Sequence, residues 1–422
     1  MILIKNGRVF GAISKEMDIL VSDGKIVEIS QNITATADMQ IVDAQGLIVA
    51  PGLVDMHVHF RDPGFEYKED IFSGAAAAAA GGVTTCLCMP NTSPVADCVE
   101  TITYIINKAR NAPIKVLPYG AVTIGQGGMA LTDAAALKAG GIVALSDDGN
   151  SIQSAEVMRR AMQQAKGLGL LISCHCEDAE MVKNYGVNEG DVSRKLEVPG
   201  RPEIAEEIMV ARDIMLAAET DASVHIAHVS TAVSVDIIRK AKAAGVKVTS
   251  ETCPQYFSLT EDEVLKQGSL ARVNPPLRTA VDVEAIINGL VDGTIDVIAT
   301  DHAPHSAKEK ELSLADAPSG MIGLETSLAL TLTNLYHTGR LNLDEIMTLM
   351  SVNPARILGL DAGKLIIDAP ADIVVFDPDE EWVVRPELFK SKARNTPFGG
   401  MSLRGQVKYT ICQGIVVYES KP

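Results

Sequence analysis

The chain opens with short apolar runs interrupted by turn residues: MILIKNGRVF, DILVSDGKIVEIS and MQIVDAQGLIVAP. Runs this short, with Asn6-Gly7 and Asp23-Gly24 between them, predict strands joined by hairpin-type turns. The same style returns after Gly359 in GKLIIDAPADIVVFDP, EEWVV and LRGQVKYTICQGIVVYE. The two β-rich ends therefore predict one small composite domain, sandwich-like in form and built from 1–50 and 361–422.

Between the ends the rhythm changes. Eight apolar runs, GLVDMHV, VTTCLCM, IKVLPYGAV, IVALSD, LLISCHC, SVHIAHV, VKVTSE and IDVIAT, alternate with stretches of helical pattern. Helices are expected at 69–80, 95–110, 131–139, 154–167, 203–219, 231–243 and 281–291. An unbroken strand–helix series of this length predicts an α/β fold: a (β/α)8 TIM-type barrel over 51–360 rather than an open doubly wound sheet. The run Ala75–Ala80 falls far short of the roughly 20 apolar residues a membrane span needs. Bracketed by Gly74 and Gly81, it reads as a small-residue helix packed closely on a sheet.

Composition narrows the function. With 422 residues, 47% of them hydrophobic, the chain can bury a large core without disulfides. A formal net charge of -17 argues against a nucleic-acid or anionic-membrane surface, because an acidic field repels phosphate. An anionic small-molecule substrate would need a local positive centre. The seven cysteines are scattered, form no CxxC pair and suit reduced thiols in the cytoplasm. The start MILIKNGRVFG lacks a basic leader followed by an apolar core, so no signal peptide is expected.

Candidate chemistry concentrates at the strand ends. Asp55, His57 and His59 finish the first barrel strand, Asp147 and Asp148 the fourth, His175 the fifth, His228 the sixth and Asp301 the eighth. In a barrel these ends share the face that carries the active site. Alternate residues of a strand project the same way, so His57 and His59 can reach one metal ion, and His175 and His228 a second. Neutral imidazoles and carboxylates suit zinc, and one carboxylate would bridge the pair. His225, three residues before His228, should face away, and His337 reads as an ordinary surface or core histidine. Cys174 and Cys176 flank His175 and should point away from the mouth as buried thiols. The GQGG at 125–128 lacks the lysine of a phosphate loop and reads as a tight or mobile loop. The stretch 258–267, SLTEDEVLKQ, predicts a capped helix on the solvent face.

Taken together, PGLVDMHVHFRDPG, GGVTTCLCMPNTSP, SDDG, HIAHVST and ATDHAPH resemble the class I dihydroorotases of the amidohydrolase superfamily over nearly the whole chain. The resemblance implies two zinc ions: one on His57, His59 and Asp301, the other on His175 and His228, with Asp148 as the bridge. Many superfamily relatives bridge with a carboxylated lysine, whereas here the fourth strand ends Ser146-Asp147-Asp148. The resemblance further assigns Arg61 and Asn91 to the exocyclic carboxylate of dihydroorotate, with His59, Asn274, His305, Ser319 and Gly320 completing the pocket. An arginine fork suits a carboxylate because it can bind both oxygens. Where the family has an aromatic before the glycine, this chain has Pro318-Ser319-Gly320, so contact there would run through backbone groups.

The implied reaction is reversible hydrolysis of (S)-dihydroorotate to N-carbamoyl-L-aspartate, in pyrimidine biosynthesis. A zinc-bridged hydroxide would attack, and Asp301 would carry the proton. The implied setting is a cytoplasmic homodimer, with association with aspartate transcarbamoylase left open. The rivals are an allantoinase or hydantoinase, a scaffold subunit without activity, and a metal-dependent deaminase. The segment 307–321 is the candidate for a loop that closes over substrate.

Overall fold

The computed structural model describes residues 1–11, 15–182 and 186–420. The N-terminal part forms β1 (Ile2–Val9), β2 (Glu16–Ser22), β3 (Lys25–Ser30), β4 (Gln40–Asp43) and β5 (Ile48–Pro51). Eight barrel strands follow, seven inside their apolar runs and β12 one residue past the end of VKVTSE: β6 (Leu53–Val58), β7 (Val83–Cys88), β8 (Lys115–Pro118), β9 (Ala144–Ser146), β10 (Leu171–Cys174), β11 (Val224–Ile226), β12 (Val248–Thr252) and β13 (Val297–Ile298). The chain then returns to β structure in β14 (Ile373–Val383), β15 (Ser402–Cys412) and β16 (Ile415–Glu419).

The barrel strands pair in parallel as β6-β7-β8 and β9-β10-β11-β12-β13. Two parallel bridges, Gly120 to Leu145 and Val58 to His302, join these arcs into a closed ring. Every residue of β6 and β7 is buried, as expected for parallel strands covered on both faces. The crossover helices run Ile71–Ala80, Val99–Ala109, Ala134–Gly140, Ala155–Leu168, Ile204–Thr220, Ala232–Ala243 and Ala280–Val291, close to their predicted ranges. Local sequence sets several of their ends. Asp70, Asp133, Ser154, Thr231 and Thr279 cap N-termini with side-chain oxygens, and left-handed Gly141 and Gly169 stop two C-termini. The alanine-rich helix packs closely because Gly74 lies under Phe60, where a Cβ would come within 2.5 Å of the ring.

The terminal strands form one mixed sheet in the order β16-β15-β14-β5-β1-β2-β3, with β4 also on β1. Antiparallel pairing of Ile373–Phe376 with Pro51–Ile48 joins the two ends of the chain. Alternation along β14 gives the sheet two apolar faces. Val374 and Phe376 pack into the barrel's core cluster, while Ile373 and Val375 pack with Ile4, Ile19 and Val49. No helix among the described residues is long and apolar enough to cross a membrane.

Two local expectations fail. Asp23-Gly24 does turn β2 into β3, but Asn6-Gly7 lies inside β1 as an irregularity in its register. Asn6 has a positive φ of 61°, its amide is held by Asp18 Oδ1 at 2.8 Å, and a Cβ on Gly7 would lie 2.3 Å from Val49 Cγ2. The pair thus bends a strand that carries β4 on its first half and β5 on its second. Residues 258–267 are likewise not one capped helix. One helix ends at Ser258, Leu259 is extended, and another runs Glu263–Gln267 without a side-chain cap. Glu261 is buried instead of solvated, taking a hydrogen bond from Asn188 Nδ2 at 2.9 Å.

Candidate functional site

The strand ends converge. His57, in β6, is fully buried, and its Nε2 lies 3.4 Å from Asp148 Oδ1 and 3.5 Å from Asp301 Oδ1. His59 places Nε2 3.0 Å from Asp301 Oδ1 and 3.4 Å from Asp148 Oδ2. From the next strands, His175 Nδ1 and His228 Nε2 come within 2.9 Å of each other, and within 3.5 and 3.3 Å of Asp148 Oδ1. All six predicted metal residues therefore surround one point, with Asp148 in the middle. The backbone is strained to achieve this: Arg61, His228 and Asp301 adopt left-handed φ values of 61°, 34° and 49°. Non-glycine residues hold such angles at a cost of order 1–3 kcal/mol, typically where the surrounding site requires them.

The neighbouring acid, Asp147, faces elsewhere. Its carboxylate accepts hydrogen bonds from the Val122 and Thr123 amides and the Thr123 hydroxyl, so it fixes the loop after β8. Cys174 and Cys176 also turn away as buried thiols, and burial pushes both well above the ordinary thiol range. The GQGG segment is a tight turn with positive φ at Gly125, Gln126 and Gly128, and Gln126 Nε2 donates to the Asp148 carbonyl at 3.0 Å. His337 donates through Nε2–H to the Pro378 carbonyl, 2.8 Å away, and takes no part in the cluster.

One residue escaped the sequence reading. Glu251, at the end of the seventh run, is completely buried, with Oε1 2.5 Å from His57 Nδ1 and Oε2 3.3 Å from His225 Nε2. An acid at a strand end is the signal that selected the others, and it selects Glu251 too. His225 is therefore no ligand but part of a buried chain, Thr249–His225–Glu251–His57.

The donor set fits a metal ion on two counts. With Nδ1 committed to Glu251, the Nε2 of His57 is buried without any hydrogen-bond partner, leaving a lone pair aimed between Asp148 and Asp301. Two triads, His57–His59–Asp301 and His57–Asp148–His228, each bring ligand atoms within 4.8 Å of one another. His175 joins the second through its contact with His228. The electrostatics run the same way. Burial disfavours charge on these groups, yet Asp148 is held well below the usual carboxylate range by His57, His175 and His228, and Asp148 and Glu251 raise His57 well above its ordinary value. A cage this eager for protons offers the same electrostatic well to a cation.

His59, Arg61, Asn91, Asn274, His305, Ser319 and Gly320 line one cavity of about 210 Å³ whose floor is Asp148, His175, His228 and Asp301. Arg61 is half-buried there, and desolvation lowers its guanidinium to about 10, still charged at neutral pH. It donates through Nε to the Pro304 carbonyl at 3.3 Å and ion-pairs with no carboxylate among the described residues. His305 is pushed down to about 2 by burial and by Arg61, Lys68 and Lys310, so it is neutral, with Nε2–H donating to the Ser319 carbonyl at 2.9 Å. Asn91 Oδ1 sits 3.0 Å from His59 Nδ1, and Asn274 Nδ2 sits 3.3 Å from His175 Nε2. The cavity is thus a positively biased pocket above an acid–imidazole cage.

Relatives agree with this picture. The sequence model of the dihydro-orotase-like family matches residues 46–234. A dihydroorotase of Citrifermentans bemidjiense is 49% identical over 423 aligned residues, covering 99% of this chain and all of its own. One of Clostridioides difficile is also 49% identical, with both chains fully covered. The chain belongs to the dihydroorotase-like family. Its chemistry is accordingly cyclic amide hydrolysis. Among solved structures this family member superposes on an L-hydantoinase from Arthrobacter aurescens with a TM-score of 0.89 at 27% identity, covering 100% and 96% of the two chains. A dihydropyrimidinase from Brevibacillus agri gives 0.88 at 25% identity, covering 99% and 95%.

Proposed function

We propose that this chain is a zinc-dependent dihydroorotase that reversibly opens the ring amide of (S)-dihydroorotate to N-carbamoyl-L-aspartate. The carrying observation is the union, in one cavity, of a half-buried Arg61 that has no carboxylate partner among the described residues with the acid–imidazole cage below it. Full-length identity of 49% to dihydroorotases supports the substrate over the hydantoins of the structural neighbours.

His57, His59 and Asp301 would hold one zinc ion, His175 and His228 the other, and Asp148 both. Zinc bound there supplies Lewis acidity and eases the ionisation of water near neutral pH. The remaining work belongs to the side chains. Arg61 and Asn91 bind the exocyclic carboxylate, and Asn274, neutral His305 and the Ser319–Gly320 backbone orient the ring. Asp301 accepts a proton from the attacking water and delivers it to the ring nitrogen as the amide C–N bond breaks. In ring closure the same carboxylate returns that proton. A homodimer in the cytoplasm accompanies this reading.

The decisive experiment assays the purified protein on dihydroorotate, N-carbamoyl-L-aspartate, hydantoin and allantoin. Turnover of the first two is expected, and preference for either of the others would replace the assignment. Arg61→Met tests the anion site. Loss of charge-assisted bonds worth about 1.5–3 kcal/mol should raise KM for dihydroorotate roughly 10- to 100-fold. An unchanged KM would remove Arg61 from the binding site. Glu251→Gln tests the buried chain behind His57. Loss of such a supporting carboxylate is expected to weaken metal retention about 10- to 100-fold in a chelator competition, and equal retention would make Glu251 a packing residue only.

A further inference from the structure

Ser319 and Gly320 reach the cavity from the segment 306–321, at whose centre lies a buried cation. Lys310 closes a short helix, Ala307–Lys310, capped by Ser306, and is only 6% exposed. Its Nζ donates to the carbonyls of Pro318 at 2.9 Å, Gly320 at 3.0 Å and Arg272 at 3.4 Å. An ammonium has three donors and no acceptor, so these three oxygens satisfy it completely. No carboxylate among the described residues ion-pairs with it. Burial and the nearby Arg272 guanidinium lower its pKa to about 7, with Glu309 opposing. If filling space were the only requirement, an apolar side chain of this length would serve without that electrostatic cost.

The turn that Lys310 grips is fixed from its other sides as well. The Gly320 carbonyl also accepts from Asn395 Nδ2 at 3.1 Å, and the Gly320 amide donates to the Arg272 carbonyl at 2.9 Å. Gly320 has a φ of 134°, and a Cβ there would lie 2.7 Å from Ala303 Cβ and 3.1 Å from His305 Nε2. His305 itself bonds to Ser319, and Asn395 Oδ1 holds the His305 amide at 3.1 Å. The turn and His305 therefore move as one unit.

We propose that Lys310 is a positioning residue for substrate, holding the Ser319–Gly320 turn and, through it, His305 in the geometry that binds the ring. The proposal rests on the dihydroorotase reading for its substrate, but its logic applies to any cyclic amide bound in this cavity. Lys310→Met keeps length and bulk while removing all three donors. It should raise KM for dihydroorotate about tenfold or more, the scale of one lost charge-assisted bond, with kcat within about threefold and metal content unchanged. The melting temperature should hold or rise, because a buried charge is gone. Lys310→Gln keeps two N–H donors without the charge and should fall between wild type and Met in KM. Unchanged KM in both variants, or a lower melting temperature with unchanged KM, overturns the proposal. If the Met variant does not fold, the Gln variant decides alone by the same criterion. Wild-type protein that turns over hydantoin and not dihydroorotate defeats the functional reading. The KM comparison is then made on hydantoin, where the same shift supports Lys310 and its absence removes it.

Discussion

Replacing His57 with alanine is expected to empty the cage and lower turnover of dihydroorotate by at least about a thousandfold, the scale of losing a metal-supplied nucleophile and Lewis acid. His57 is the one histidine common to both candidate triads, so its loss removes a ligand from each grouping at once. It also strands Glu251, whose carboxylate loses its 2.5 Å partner and keeps the His225 ring at 3.3 Å. Elemental analysis of the purified variant beside an activity assay checks both consequences. Near-normal zinc content and turnover would sink the metal assignment.

Asp301→Asn separates holding a metal from moving a proton. The amide keeps the shape of the carboxylate and one ligand oxygen, while His57, His59, Asp148, His175 and His228 remain. Part of the metal should therefore stay bound. An asparagine cannot take a proton at neutral pH, so kcat should fall about 100- to 10,000-fold with a much smaller change in KM. In the proposed mechanism ring opening and ring closure share Asp301 as carrier, so the loss should appear in both directions. A variant with full kcat would assign the proton transfer elsewhere.

Much of the architecture was legible because the barrel repeats one simple pattern. Buried parallel strands such as LVDMHV and VTTCLC are continuous apolar runs, and the crossover helices carry their own caps at Asp70, Ser154 and Thr279. Errors arose where one local chemistry serves two structures. Asn6-Gly7 offers a positive φ to a turn or to a bend within a strand, and only the distant Val49 decides which. Ser258 and Glu261 resemble a helix start, but Asn188, far away in sequence, draws Glu261 into the interior.

The cage was legible for a related reason. Strand ends in a barrel meet, so acids and imidazoles at those positions are brought together by topology without knowledge of any side-chain contact. Glu251 obeys the same rule and needed only equal treatment. Lys310 and Asn395 obey no such rule. They lie in irregular segments, and their importance comes from carbonyl oxygens whose positions no periodicity encodes.

The pairing of β14 with β5 has a consequence for how the molecule is made. During synthesis β5 emerges early, and its partner appears only after the entire ring of eight strands has left the ribosome. Until then an apolar ribbon has one row of amides and carbonyls open to any passing strand. Completion of the sheet is thus a late, long-range event that reports on the ring's own closure, and a chain arrested or nicked before Ile373 would carry an adhesive edge that the finished protein hides.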